Sequence, residues 1–286
     1  MRALPAPGAG MSAAPLLRVR GLRKVYEIKR PTGGHETVIA VDGIDFDVQP
    51  GETLGLVGES GSGKSTAAYC VIRLEQPTGG EITFLGASVA TAGRGELRRL
   101  RREMQIVFQD PYSALDPRMK VRRIVEEPLD AHGIGDRATR RARVTELLEL
   151  VGLSPAIASR YPHEFSGGQR QRIGIARALA LEPKLVICDE PVSALDVSIQ
   201  AQILNLLKDL QDQLGLAYLF ISHDLAVVRA MSDRIAVMRG GRIVETGAAE
   251  EIYRTPRDDY TRTLLAAAPV ADPRLARRRH AERAAQ

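Results

Sequence analysis

The residues best suited to chemistry form a glycine-rich stretch with the spacing G-x-x-x-x-G-K-[ST]. It consists of Gly58, Glu59, Ser60, Gly61, Ser62, Gly63, Lys64, Ser65 and Thr66. Glycines in such a loop let successive backbone N–H groups converge on a polyphosphate, and the positive end of a following helix adds to the attraction. In this pattern Lys64 reaches the β- and γ-phosphates and Ser65 ligates Mg²⁺. The stretch therefore predicts a nucleotide site that takes Mg²⁺.

Two carboxylates follow an apolar run at residues 185–188 and are the acidic partners that a phosphate loop needs. The run predicts a buried strand, because parallel strands covered on both faces are continuously apolar. We expect this strand to lie beside the strand at residues 53–57, which leads into the phosphate loop. Asp189 would then emerge near Ser65 and hold Mg²⁺, and Glu190 would face the water that attacks the γ-phosphate.

Three other parts of the sequence each allow a functional and a structural interpretation. His223 follows an apolar run, where a lone histidine is usually structural, but ligands of open α/β sheets bind at this edge, which favours contact with the γ-phosphate. Ser166 and Gln169 have the spacing of a capping box, which predicts a helix start with an ordinary cap or a second anion site. The position of Tyr26 is typical of a tyrosine in the core or on an edge strand, but its ring could also stack on adenine.

The elements that position these residues predict an α/β fold. Its parts are a P-loop NTPase core with a mixed, largely parallel sheet, an N-terminal antiparallel β-layer, and an α-helical subdomain inserted at about residues 110–180, where strand patterns are missing. Strands are predicted at residues 16–26, 38–41, 44–48, 53–57, 81–85, 104–108, 185–188, 217–221, 234–238 and 242–245. Helices are predicted at residues 66–74, 94–103, 121–132, 137–150, 166–181, 198–214, 248–254 and 258–267.

Composition places few further limits on function. The 286 residues are 44% hydrophobic and 26% charged, with a net charge of +5. We expect no membrane span, because no run of 18 apolar residues occurs, and no signal peptide, because the Pro- and Gly-rich start lacks an apolar segment. Both cysteines lie in apolar runs and are expected in the core. Residues 1–15 are predicted to be a disordered extension, with Met11 an alternative start, and residues 269–286 a basic tail that is solvated or contacts anionic lipid or nucleic acid.

Together the motifs resemble those of the ATP-binding cassette (ABC) family, over about residues 16–268. The matching elements are the phosphate loop, Gln109, Phe165-Ser166-Gly167-Gly168-Gln169, the strand that ends at Asp189-Glu190, residues 193–196 and His223. Phe165 stands where the family usually has leucine. The resemblance implies ATP and Mg²⁺ as cofactors and adenine stacking by Tyr26. It also implies catalytic roles for Glu190, His223 and Gln109, with Gln109 sensing both Mg²⁺ and water.

Within this family the chain is similar to the ATPases of bacterial oligopeptide and dipeptide importers. The similarity lies in residues 108–118 and in a C-terminal extension from about residue 248. Asp116 replaces the usual asparagine, and Asp258-Asp259 replaces the usual His-Pro. The resemblance implies a chain at the cytoplasmic face of the membrane that powers permease subunits, with an external solute-binding protein as an indirect partner.

The resemblance also implies a composite site. The helix that begins at Ser166 would bind the γ-phosphate held by a second cassette, identical or paralogous, so that ATP closes a head-to-tail dimer and hydrolysis opens it. The alternative is a soluble ABC-type ATPase that acts on nucleic acid or the ribosome. Repair-type members need an inserted coiled coil or zinc module, and translation-type members usually carry two cassettes. This sequence has neither an insertion of that kind nor a second phosphate loop, so nucleic acid is not expected as a partner.

Overall fold

Ten strands and nine α-helices occur in the part of the chain that the structure, a computed structural model, describes: residues 14–29, 34–110 and 112–267. The strands are β1 (Leu17–Lys29), β2 (His35–Val48), β3 (Thr53–Val57), β4 (Gly79–Phe84), β5 (Ala87–Ser88), β6 (Met104–Val107), β7 (Leu185–Asp189), β8 (Ala217–Ser222), β9 (Arg234–Arg239) and β10 (Arg242–Ala248). The helices are α1 (Lys64–Val71), α2 (Arg94–Glu103), α3 (Val121–His132), α4 (Arg137–Leu150), α5 (Gly167–Leu179), α6 (Val197–Leu214), α7 (Leu225–Met231), α8 (Ala249–Arg254) and α9 (Asp259–Ala267). The predicted basic tail and nearly all of the predicted N-terminal extension lie outside the described residues.

The strands form two sheets. A four-stranded antiparallel sheet has the order β2-β1-β4-β5, and a six-stranded sheet has the order β10-β9-β3-β8-β7-β6 among the described residues. All neighbours in the larger sheet are parallel except β10 and β9, which form a hairpin. Its turn is Gly240-Gly241, with φ angles of +53° and +81°, values that glycine adopts without strain. This confirms the predicted α/β class with an antiparallel N-terminal layer.

The prediction of which strand pairs with β3 was wrong. We expected β7 beside β3, but β8 pairs with both of them and separates the two strands. Neighbouring strands lie about 4.8 Å apart, so β7 is roughly 10 Å from β3. Helix α1 nevertheless contacts both β7 and β8. The phosphate loop and α1 therefore lead across β8, and the carboxyl end of β7 can still meet them.

Strand β7 is buried on both faces, as its apolar run predicts. Leu185 and Ile187 belong to a core shared with the antiparallel sheet and α1. Val186 and Cys188 belong to a second core shared with helices α3 to α6. Because side chains alternate along a strand, one short segment joins both cores, and it carries Asp189 to the edge of the sheet with little freedom.

The helical ends follow from local sequence. Helix α4 begins after Asp136, whose carboxylate accepts a hydrogen bond from the backbone N–H of Thr139 at 2.8 Å. Helix α3 ends at Gly133 in the left-handed region (φ +67°).

Between β6 and β7 lie α3, α4 and α5, in the stretch predicted to be a helical insertion. In residues 14–29, 34–110 and 112–267, no helix is both long and apolar enough to cross a membrane.

Several local predictions differ from the structure, most clearly those for β2 and α7. The two alternating runs predicted as separate strands near residues 38–48 form the single strand β2, whose pairing with β1 contains register shifts that absorb the interruption. Helix α7 was not predicted, although Asp224 caps it by accepting from the backbone N–H of Ala226 at 2.8 Å. Seven residues are too few for helical periodicity to stand out.

Candidate active site

The phosphate loop joins β3 to α1 and needs glycine for its path. Gly58 (φ +154°) and Gly63 (φ +101°) both have positive φ angles. A Cβ atom on Gly58 would lie 2.0 Å from the carbonyl oxygen of Met238, and one on Gly63 would lie 2.1 Å from that of Ala40. The loop is therefore pressed against β9 on one side and β2 on the other, which leaves no room for side chains at these two positions.

Lys64 lies inside the loop that contains it. Its side chain is almost fully buried, and Nζ donates to the carbonyl oxygens of Gly58 and Glu59, both at 2.8 Å. Burial lowers the pKa of Lys64, and the nearby carboxylates of Asp189 and Glu190 partly oppose this effect. Phosphate oxygens are stronger acceptors than carbonyl oxygens, so a polyphosphate in the loop would compete well for this ammonium group.

An open cavity of 690 Å³ adjoins the loop, a volume suited to a nucleotide-sized ligand. Every residue from Gly58 to Thr66 lines it except Ser62. Gln109, Glu190 and His223, for which the family resemblance implies catalytic roles, also line it. The structure thus brings the three predicted catalytic side chains to the same cavity as the loop.

Asp189 and Ser65 meet despite the intervening strand. The hydroxyl of Ser65 donates to Oδ1 of Asp189 at 2.8 Å, and Asp189 is 1% exposed. Burial raises the pKa of Asp189, although hydrogen bonds from Ser65 and Tyr69 oppose this. Oδ2 of Asp189 is buried without a well-aligned hydrogen-bond partner among the described residues. A buried carboxylate oxygen of this kind, next to a hydroxyl, fits a hard cation such as Mg²⁺.

No cluster of three or more His, Cys, Asp or Glu side chains able to hold a metal is found in the described part of the chain. With Mg²⁺ held by Ser65 and Asp189, waters and substrate phosphates would supply the other ligands. This is the usual arrangement for Mg²⁺ in enzymes that act on nucleoside triphosphates.

Glu190 is the centre of a hydrogen-bonded group. Its Oε2 accepts from Nε2 of Gln109 at 3.1 Å and lies 3.1 Å from Nδ1 of His223. The backbone of Glu190 has φ +45°, a left-handed value that costs a non-glycine residue on the order of 1 kcal/mol or more. Its N–H donates to the carbonyl oxygen of Ile221 at 2.9 Å, which holds this conformation. The carboxylate is thereby fixed between an amide and an imidazole at the cavity wall.

The helix that begins after Ser166 lies elsewhere. Ser166 and Gln169 are exposed and form the predicted capping box: each side chain accepts from the other residue's backbone N–H, at 3.4 Å and 3.1 Å. None of Ser166, Gly167, Gly168 and Gln169 lines the cavity. A Cβ on Gly168 would lie 2.5 Å from Cγ2 of Ile199, so glycine allows α5 to pack closely on α6.

Tyr26 lies at the border of the cavity and does not line it. Its direct neighbour across the β1–β2 pair is Val38, which does line the cavity, and its hydroxyl interacts with the side chain of Thr66. Nζ of Lys24 lies 4.6 Å from the ring centroid, so one face of the ring is covered by a cation. Burial raises the pKa of Tyr26. Adenine stacking by Tyr26 stays a prediction.

Two residues of the C-terminal extension reach the site and were missed at the level of sequence. The backbone N–H of Glu59 donates to the hydroxyl of Tyr260 at 3.1 Å, and Leu264 lines the cavity. The two residues are four apart on α9 and so share one helix face. This spacing was the available signal, but it shows only that the helix has a common face and not what that face contacts.

Comparisons with known proteins bear directly on this arrangement. The family model described as "ABC transporter" matches residues 41–193, more than half of the chain. The chain belongs to the ABC transporter family. This membership confirms the resemblance to the ABC family that the sequence motifs indicated.

Relatives of this ABC chain include the oligopeptide transport ATP-binding protein OppD of Mycobacterium bovis, 54% identical over 273 residues. That match covers 93% of the chain but 44% of OppD, so the chain spans less than half of this relative's length. A Brucella ovis protein named as a peptide import ATP-binding protein is 54% identical over 92% of the chain and 81% of its own length. The glutathione import ATP-binding protein GsiA of Salmonella choleraesuis is 55% identical over 91% of the chain and 42% of GsiA.

Solved ABC cassettes have the same fold. A dimeric post-hydrolysis structure of the cassette MJ0796 bound to ADP and Pi has a TM-score of 0.72 at 31% identity, and covers 82% of this chain and 98% of that one. The structure of cbiO1 from Clostridium perfringens, part of the transporter complex cbiONQ, has a TM-score of 0.71 at 29% identity, and covers 84% and 91%. These neighbours confirm the P-loop NTPase fold predicted for the ABC chain.

Proposed function

We propose that this chain is the ATP-hydrolysing subunit of an ABC importer for oligopeptides, dipeptides or similar small solutes. One observation carries the catalytic part of the proposal: Gln109 and His223 converge on a single oxygen of Glu190, at the wall of a cavity that the phosphate loop lines. Such a convergence is what an oriented base for a water nucleophile needs. The names of the peptide and glutathione relatives support the importer part and favour it over action on nucleic acid or the ribosome.

In this proposal Glu190 is the general base. Its carboxylate takes a proton from the water that attacks the γ-phosphate, while the amide of Gln109 and the imidazole of His223 keep it oriented. His223 has the exposure needed to contact a phosphate, since its side chain is 56% exposed, against 13% for Glu190. Lys64 would leave the loop carbonyls for the β- and γ-phosphate oxygens.

Ser65 and Asp189 would hold Mg²⁺, which when bound neutralises the negative charge on the β- and γ-phosphates. Oδ2 of Asp189 supports this role, because it is buried without a well-aligned partner, which is costly for a carboxylate oxygen unless a ligand satisfies it. Gln109, already bonded to Glu190, would sense the metal and the attacking water together. Tyr26 would stack on adenine with the ring face that Lys24 leaves open.

The partners follow from the same proposal. A second cassette, identical or paralogous, would place its Ser166 helix against the γ-phosphate of this chain. Transmembrane permease subunits would dock on the pair from the membrane, which places this chain peripherally at the cytoplasmic face, and an external solute-binding protein would deliver the solute. The dimeric assembly of the similar cassette MJ0796 supports the pairing.

Replacement of Glu190 by glutamine tests the catalytic assignment. We expect Mg²⁺-dependent ATP hydrolysis by the purified wild-type chain and a turnover about 10²- to 10⁴-fold lower in Glu190→Gln, with ATP affinity unchanged, because only the base is lost. Glu149→Gln, which changes a glutamate outside the cavity, is the control and should keep wild-type turnover. Normal turnover in Glu190→Gln would remove Glu190 as the base. Co-purification with ribosomes or nucleic acid, and not with integral membrane proteins, would contradict the importer assignment.

A further inference from the structure

The last described helix contacts the phosphate loop directly. The hydroxyl of Tyr260, which is 6% exposed, accepts a hydrogen bond from the backbone N–H of Glu59 at 3.1 Å. Glu59 is the second residue of the loop, 201 positions earlier in the chain. Leu264, one helical turn after Tyr260, forms part of the cavity wall. Helix α9 therefore contributes a polar contact to the loop and an apolar side chain to the wall of the cavity.

Several contacts fix Tyr260 in place before any ligand arrives. The carboxylate of Glu245 on β10 accepts from the backbone N–H groups of Arg257 at 2.8 Å and Asp258 at 3.1 Å. Asp258 in turn accepts from the backbone N–H of Tyr260 at 2.8 Å, which fixes the start of α9. The guanidinium of Arg239 lies 4.8 Å from the centroid of the Tyr260 ring. Arg239 on β9 thus packs on the phenol, and Glu245 on β10 anchors the turn from which its helix begins.

The contact matters because of the position of Glu59. Gly58, just before it, is confined by the carbonyl oxygen of Met238, and Lys64 binds the carbonyl oxygens of Gly58 and Glu59. The hydrogen bond to Tyr260 does not involve Lys64, so it does not depend on whether the ammonium group points to the loop carbonyls or to a phosphate. Together with the backbone bond from the N–H of Ser62 to the carbonyl oxygen of Glu59 at 3.2 Å, it fixes the amino-terminal arm of the loop, and it does so from outside the loop.

We propose that Tyr260 is a positioning residue for nucleotide binding. Through its hydroxyl, α9 holds the phosphate loop in the conformation that receives the polyphosphate, so the C-terminal extension is a working part of the nucleotide site. This inference rests on the proposed function, namely that the cavity takes ATP. It adds that affinity for ATP depends on a helix outside the segment, residues 41–193, that the family model matches.

Tyr260→Phe is the direct test, since it removes one hydroxyl and keeps the ring over which Arg239 lies. Tyr218→Phe is the matched control: Tyr218 is also buried, and its hydroxyl donates to the carbonyl oxygen of Leu207 at 2.9 Å, away from the cavity. Both variants lose one hydroxyl hydrogen bond and should lose similar amounts of thermal stability. We expect only Tyr260→Phe to bind fluorescent ATP about 3- to 10-fold more weakly, the range for a single hydrogen bond. Its KM for ATP should rise by a similar factor with kcat nearly unchanged, because the loop positions ground state and transition state alike.

Amide hydrogen exchange gives a second measurement without turnover. In the ligand-free full-length chain, peptides that cover residues 58–62 should exchange faster in Tyr260→Phe than in wild type or in Tyr218→Phe. Equal ATP affinity and equal loop exchange in the two variants would overturn the inference and leave Tyr260 with a purely structural role. A wild-type chain that binds no ATP would instead defeat the proposed function, and the exchange result would still decide whether Tyr260 holds the loop.

Discussion

The chain has two glycine-rich helix starts, and they differ in what surrounds them. Helix α1 begins after Gly63 without any side-chain cap, at a cavity lined by Lys64, Gln109 and Glu190. Helix α5 begins after Ser166, is capped by its own side chains, and its first residues lie outside that cavity. Both ends have the positive dipole that attracts an anion. The start of α1 adjoins a cavity with other candidate functional residues, whereas the start of α5 is exposed to solvent.

This difference teaches which steps one molecule can perform. The groups proposed to hold the phosphates, Mg²⁺ and adenine all belong to one chain, so a single chain should bind nucleotide. The start of α5 does not line its own chain's cavity, and in the proposed dimer it would bind a phosphate that another molecule holds. Binding and hydrolysis should therefore separate under mutation, and three substitutions test this separation in order of expected effect.

The largest separation is expected from Ser166→Arg. The arginine removes the cap of α5 and blocks the approach of a second molecule, so hydrolysis should fall about 10²- to 10³-fold, the usual cost of losing an oxyanion contact. ATP affinity of the single chain should stay within about twofold. Turnover and equilibrium nucleotide binding are measured on the same preparation. Ser154→Arg is the control, because Ser154 caps a short helix in the same region and is also exposed. Full hydrolysis in Ser166→Arg would argue against a composite site.

Lys64→Ala should instead weaken nucleotide binding by the single chain. Loss of the ammonium group removes charge-assisted hydrogen bonds to phosphate worth about 1.5–3 kcal/mol, so ATP affinity should drop roughly 10- to 150-fold. Isothermal titration with Mg-ATP measures this directly. Lys208→Ala, an exposed lysine on α6, should leave affinity unchanged. If Lys64→Ala bound ATP as tightly as wild type, the placement of Lys64 at the phosphates would be wrong.

The smallest effect is expected from Tyr26→Ala. Removal of the ring should weaken ATP binding about 2- to 10-fold, the value of an aromatic stacking contact, and should leave binding of inorganic triphosphate unchanged. Tyr26→Phe should keep near-normal affinity, because stacking needs the ring and not the hydroxyl. Tyr161→Ala, another tyrosine with a lysine over its ring, is the control outside the cavity. Equal losses for ATP and triphosphate would exclude adenine stacking.

Much of the local structure could be predicted from the sequence. The bounds of α2, α3 and α4 agree with the predictions to the residue, because charge periodicity, the cap at Asp136 and the left-handed Gly133 define them locally. The capping box at Ser166 is also present as predicted. Such features depend on residues three or four apart, and sequence spacing reports them directly.

Features that depend on distant residues were harder. An apolar run shows that β7 is buried but not which strand lies beside it, so its predicted pairing with β3 was wrong. Asp189 still reaches Ser65, because α1 leads across β8. The contact of Tyr260 with Glu59 joins residues 201 positions apart, so no local sequence pattern can predict it.

Cross-linking of two chains, each with one added exposed cysteine, tests the central claim most directly. Ser60 on the phosphate loop and Ser166 are both exposed, and the native Cys70 and Cys188 are buried, so background reaction is low. Each substitution, Ser60→Cys and Ser166→Cys, is made in a separate Glu190→Gln chain, and the two chains are mixed. The account predicts a disulfide-linked heterodimer that forms with Mg-ATP and not with ADP. Absence of this product, although Mg-ATP binds both chains, would contradict the composite site.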